Sequence, residues 1–121
     1  MATSTIQANK HLLWTNANPS SAFAEQDVTV NWSGYEMLEI LYRPNTTGDI
    51  TTCHSATIVP VENQSGYIFD TAGSNVYRAF TMKSNYIHFT SGYYYAGYGG
   101  TSPAASNNMI VPYKIYGITN A

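Results

Sequence analysis

Apolar and polar residues alternate along most of the chain, and a period of two predicts strands. Val28, Val30 and Trp32 interleave with Asp27, Thr29 and Asn31, and Leu38, Ile40 and Tyr42 interleave with Met37, Glu39, Leu41 and Arg43. The same reading places strands at 11–14, 50–61, 67–69, 76–83, 85–90 and 109–118. Between them stand runs of turn formers: Asn16 to Ser21, Ser33-Gly34, Pro44 to Asp49, Asn63 to Gly66, Ala72 to Asn75 and Lys83 to Asn85. No segment carries a helical period. Short strands at this spacing predict an all-β fold, an antiparallel β-sandwich of jelly-roll-like form with about eight strands and no significant helix. Residues 1–9 are small and polar and read as a leader or linker, leaving 10–121 as one domain.

The last strand organises the rest. Met109, Val111, Tyr113 and Ile115 fall on one face and form the expected core stripe, while Ile110, Pro112, Lys114, Tyr116 and Ile118 fall on the other. That second face is half apolar, so Ile110, Tyr116 and Ile118 are candidates for a subunit contact. Pro112 cannot donate to a ladder and points to an edge position or a bulge. Ahead of this strand, Ser91 to Asn108 is the longest irregular stretch, with Tyr93, Tyr94, Tyr95 and Tyr98 set among glycines. Tyrosine offers a large stiff face and a hydroxyl, the equipment of recognition loops. These four tyrosines are the candidate ligand contacts, with Asn107 and Asn108 as weaker ones. The competing reading is a glycine-rich hairpin whose tyrosines pack on their own strands or on a symmetry mate.

Composition changes the picture chiefly through charge. Hydrophobic residues make up 44% of the 121, enough for a core, but charged residues only 10%, against roughly 25% in an average globular protein. A net charge of -2 leaves no basic footprint for nucleic acid. Solubility must rest on Ser, Thr, Asn, Gly and Tyr, a surface suited to stacked assemblies and saccharides. The lone Cys53 excludes an internal disulfide and a cysteine zinc site. Neither a secretory leader nor an apolar run long enough to span a bilayer is visible, so membrane insertion is not expected. His11, His54 and His88 sit on separate strands without metal-ligand spacing, so no metal is expected. Glu36 and Glu39 are an odd number of residues apart and point to opposite faces, and Asp49 and Asp70 sit in turns that their side chains can cap. Trp14 and Trp32 lie on apolar stripes and read as core. No catalytic residue or cofactor is expected, and a polysaccharide-cleaving enzyme is the weakest alternative.

Two phrases carry a family resemblance: Leu12-Leu13-Trp14-Thr15-Asn16-Ala17-Asn18-Pro19-Ser20-Ser21-Ala22-Phe23-Ala24-Glu25-Gln26-Asp27-Val28-Thr29-Val30 and the ending Asn107 to Ile118. With Tyr77-Arg78-Ala79-Phe80 and Ile87-His88-Phe89 between them, the chain from about His11 to Ile118 resembles the C-terminal domain of tail-fibre, baseplate or minor structural proteins of phages and prophages of Gram-positive gut bacteria. The resemblance implies a β-sandwich tip domain, usually trimeric, that attaches the particle to a host cell. It carries no catalytic residues. It implies a homotrimer in the virion, made in the bacterial host's cytoplasm, whose partner is a host cell-surface polysaccharide or teichoic acid. A purely structural trimerisation or capping domain is the alternative. Family members usually follow long shaft and attachment regions, which nine residues do not hold, so an excised domain or a small stand-alone protein is expected.

Overall fold

The computed structural model describes residues 9–47, 53–71, 75–95 and 103–119. They form nine strands: β1 (Asn9–Thr15), β2 (Gln26–Thr29), β3 (Met37–Asn45), β4 (His54–Ile58), β5 (Ser65–Thr71), β6 (Asn75–Lys83), β7 (Tyr86–Tyr95), β8 (Pro103–Ala105) and β9 (Met109–Thr119). Two antiparallel sheets pack face to face. Sheet A has the order β1-β9-β3-β4, and sheet B has the order β2-β7-β6-β5 with β8 also paired to β7. The first three strands alternate between sheets, and β9 returns between β1 and β3, which is the jelly-roll-like part of the path. From β5 to β7 the chain runs as a meander. Among the described residues there is no helix.

Sheet A gives Leu38, Ile40, Tyr42 and Ile115 to the core, sheet B gives Val28, Ile68, Val76, Phe80, Met82, Ile87 and Phe89, and Phe23 and Val30 enter from loops. Each such side chain, once buried, contributes about 1.5–3 kcal/mol of transfer free energy. Trp14 and Trp32 pack against this core, as their stripes predict. Trp32 lies beyond the end of β2 rather than in it, and its indole N–H donates to the Lys83 carbonyl at 2.6 Å.

Three expectations are corrected by pairing. Of the strand expected at 50–61, residues 50–52 lie outside the described residues, β4 spans His54–Ile58, and Val59 to Gln64 form the loop to β5. The stretch expected to be irregular from Ser91 is ordered at both ends: β7 continues to Tyr95, and β8 pairs with it, Tyr94 opposite Ala104. The third correction concerns β9. It is not an edge strand but lies between β1 and β3. Pro112 is accommodated by an irregularity, since Lys114 pairs with Leu41 and Pro112 with Tyr42, so Tyr113 is the extra residue. The extra residue inverts the alternation. Ile110, Val111, Pro112, Ile115 and Gly117 are buried, whereas Met109 and Tyr113 are only partly so. Ile110, expected at a subunit contact, is 0% exposed and belongs to the core.

Among the described residues two charged side chains, Arg43 and Arg78, are wholly enclosed. Arg78, on the inner face of β6, is 0% exposed and donates to the carbonyls of Ile110 (2.7 Å), Thr90 (2.5 Å), Met109 (3.0 Å) and, more weakly, Asn107 (3.4 Å). Burial lowers its guanidinium to about 10, which leaves it cationic at neutral pH. These bonds tie the turn before β9 to the centre of sheet B. Ile110 sits there at φ 47°, an uncommon backbone for a β-branched residue, and its carbonyl is the one that meets Nε.

Candidate aromatic binding face

The outer face of sheet B carries an aromatic platform. It is assembled by register: Phe69 of β5 pairs with Tyr77 of β6, and Tyr77 pairs with Tyr93 of β7, so three rings cross the sheet in one row. Tyr67 lies two residues before Phe69 on the same face, and Tyr95 two residues after Tyr93. Ring centroids are 5.7 Å apart for Tyr67–Phe69, 5.8 Å for Phe69–Tyr77 and 6.2 Å for Tyr77–Tyr95, and Tyr77 and Tyr93 stack at 5.3 Å with planes 17° apart. Tyr67 is 62% exposed and Phe69 67%. Large rings held open to solvent on a rigid sheet are what a binding or contact surface requires. Partial burial, then the neighbouring hydroxyls of Tyr95, Tyr93 and Tyr67, raise the Tyr77 phenol above its ordinary value, so Tyr77 is uncharged at neutral pH.

A second bulge decides which tyrosines take part. Phe80 pairs with Phe89 and Arg78 with Gly92, so Thr90 and Ser91 together oppose Ala79. Before the bulge Ile87 and Phe89 face inward; after it Gly92 and Tyr94 do. Tyr94 therefore packs against the core, while Tyr93 and Tyr95 face out. Tyr98 lies outside the described residues. Asn107 is occupied structurally: its side-chain oxygen accepts the Gly92 N–H (3.2 Å) and its carbonyl the Phe23 N–H (2.8 Å). Asn108 is exposed in the turn before β9. Tyr116 and Ile118 lie on the outer face of sheet A, beside Leu12 and Met37.

The platform ends in an open depression of about 490 Å³ lined by Phe69, Asp70, Thr71, Asn75 and Tyr95. Asp70 also braces the open edge between the sheets. Its carboxylate accepts the Tyr42 hydroxyl at 2.7 Å, the His54 ring nitrogen at 2.5 Å and the Thr71 N–H at 2.6 Å. Burial pushes the Asp70 carboxyl up, but the bonds from His54, Tyr42 and Thr71 outweigh it and hold it below its ordinary value. The Tyr42 phenol is driven far above its usual range, by burial first and then by that carboxylate.

The opposite half of the same outer face is polar. The ring nitrogens of His88 face two acceptors, the carboxylates of Asp27 (2.7 Å from Nδ1) and Glu25 (2.8 Å from Nε2), and the Ser65 and Thr81 hydroxyls meet at 2.8 Å. Among the described residues no three His, Cys, Asp or Glu side chains gather as metal ligands.

Tyr67, Phe69 and Tyr77 escape the sequence reading. A signal was present: Ile68 alternates with two aromatic neighbours, so both faces of a short strand are apolar, and only one can meet the core. Comparison with protein-family models, curated proteins and solved structures yields no match to this chain.

Proposed function

We propose that this chain is a non-enzymatic attachment module that binds a host cell-surface glycan on the aromatic face of sheet B, as a homotrimer at the tip of a phage tail fibre or baseplate. The observation that carries the glycan reading is the row of Tyr67, Phe69, Tyr77, Tyr93 and Tyr95, with Tyr67 and Phe69 open to solvent, ending in a depression that offers Thr71 and Asn75 to hydroxyls. Aromatic faces take the C–H side of a pyranose, and the polar rim fixes its orientation. The phage setting rests on the resemblance of residues 12–30 and 107–118. A single shallow platform binds weakly, and three copies on one particle raise avidity by about 10²–10⁴ when their geometry allows joint engagement.

A glycan microarray that includes Gram-positive wall polysaccharides, probed with the intact chain and with Tyr67→Ala and Phe69→Ala, tests this. Saturable binding lost in both folded variants is expected. Binding that survives both substitutions would remove the platform from the account. Reducing ends released from a wall polysaccharide would instead favour the polysaccharide-cleaving alternative.

The structural alternative, a trimerisation or capping domain, has its own observation: Leu12 is 53% and Met37 37% exposed next to Tyr116 and Ile118 on sheet A. A solution mass that falls to that of one chain in Ile118→Glu, together with no glycan response from the wild type, would favour it.

A further inference from the structure

Resting on the glycan reading above, we infer that the platform takes uncharged glycan chains and excludes polyanionic ones, those linked by phosphate or rich in uronate or sialate. The chain has five Lys and Arg in all, none on the aromatic half of this face, and His88, on its polar half, is held between the Asp27 and Glu25 carboxylates. Lys10 is on the outer face of the other sheet, 2.7 Å from Glu39. Lys114 is on that same sheet, over the Tyr113 ring at 5.2 Å. Arg43 and Arg78 are 2% and 0% exposed, with Arg43 donating to the Pro19 carbonyl and Arg78 to its ring of carbonyls. Lys83 ends β6 at the far side, six residues and about 20 Å of strand from Tyr77, with its ammonium 3.2 Å from Asn63.

The rest of the sequence adds none. Residues 84–113, which include 96–102, contain no Lys, Arg, Asp or Glu, and residues 72–74 are Ala, Gly and Ser. Protein sites for phosphate and carboxylate are built from Arg and Lys forks or from helix N-termini, and the described residues supply neither at the platform. What the face does supply opposes an anion. Ring faces present the negative side of their quadrupole. His54 pairs with Tyr42 and its ring is bonded to Asp70 at the open edge between the sheets, not on the outer platform. Of the partners that the resemblance implies, this selects a neutral wall polysaccharide over teichoic acid.

The test is an array of neutral, phosphate-linked, uronate and sialylated glycans read with the intact chain at salt between about 0.05 and 0.5 M. Neutral glycans are expected to bind at least about tenfold more tightly than any polyanion (about 1.4 kcal/mol), with little change across the salt range. Asn75→Lys, which sets a cation in the depression, is expected to gain a salt-sensitive polyanion response. Polyanion binding by the wild type that is of equal strength, falls with salt and is lost in Phe69→Ala would overturn the inference while leaving the glycan reading intact. No response to any glycan from folded protein would overturn that reading itself.

Discussion

Replacing Arg78 with methionine sets two large opposing terms against each other. The guanidinium is fully enclosed, and its partners are carbonyls rather than a carboxylate. Its desolvation therefore costs several kcal/mol, which methionine relieves. Methionine also leaves the carbonyls of Ile110, Thr90 and Met109 without these donors in a dry interior, at about 1–3 kcal/mol each. The strained turn at Ile110 loses its anchor at the same time. Three orphaned acceptors outweigh one relieved cation, and the net destabilisation expected is about 3 kcal/mol, a large share of the ~5–15 kcal/mol by which domains are stable. Arg78→Lys keeps the charge but lacks the planar fork that reaches several acceptors, so about 1–2 kcal/mol is expected. Urea unfolding at neutral pH, followed by far-UV circular dichroism, reads both as a lower midpoint at unchanged slope. An Arg78→Met protein as stable as the wild type would refute the reasoning, because it would mean that these bonds do no more than repay the burial of their own donor.

Further consequences concern the two outer faces and the packing between the sheets. Gly92→Ala is expected to unfold the protein or cost more than about 3 kcal/mol, because a Cβ there would stand 2.5 Å from both the Met109 and Ser106 carbonyl oxygens; a cooperative urea transition at the wild-type midpoint would contradict this. Tyr42→Phe removes one of the bonds that hold Asp70 ionised, so stability falls by about 1–2 kcal/mol and the Asp70 carboxyl titrates closer to its ordinary value by NMR. The bonds of His88 to Asp27 and then Glu25 raise its pKa above the usual value near 6.5. Its contribution is then fully present below that value and is lost as pH rises through the raised one. The stability difference between wild type and His88→Gln, under about 1 kcal/mol at so open a site, should shrink as pH rises through the raised pKa, and a difference that grows with pH would sink the assignment. Tyr94→Ala is expected to lose about 2 kcal/mol of stability, and Tyr93→Ala about 1 kcal/mol or less with loss of glycan binding; reversed outcomes would place the bulge wrongly.

The pairings show why the tyrosine run could be noticed in the sequence and yet not resolved there. Tyr93, Tyr94 and Tyr95 are equivalent on paper, for a strand of tyrosines has no apolar stripe to mark its inner face. Their assignment depends on the extra residue opposite Ala79, and that residue is fixed by β6 and by the approach of Gly92 to the Arg78 knot. The same holds on β9, where a strict period of two sends Ile110 to the surface and Tyr113 to the core, and one unpaired residue exchanges them. On β1 a register shift between Leu12 and Trp14 lets His11 and Trp14 face the same way.

What the sequence determined by itself is the class of fold and the chemistry open to the surface. Period-two alternation, frequent turn residues and no helical period leave only packed sheets, and seven acids with five bases in 121 residues leave aromatic and hydroxyl groups to make contacts. The tertiary structure alone decided where those contacts sit. Phe69, Tyr77 and Tyr93 come from three strands, and their row exists because inter-strand hydrogen bonds set them opposite one another. Alternation is a local property of one strand, whereas a bulge is a property of two, so a chain read singly cannot say which of its faces a partner will turn outward.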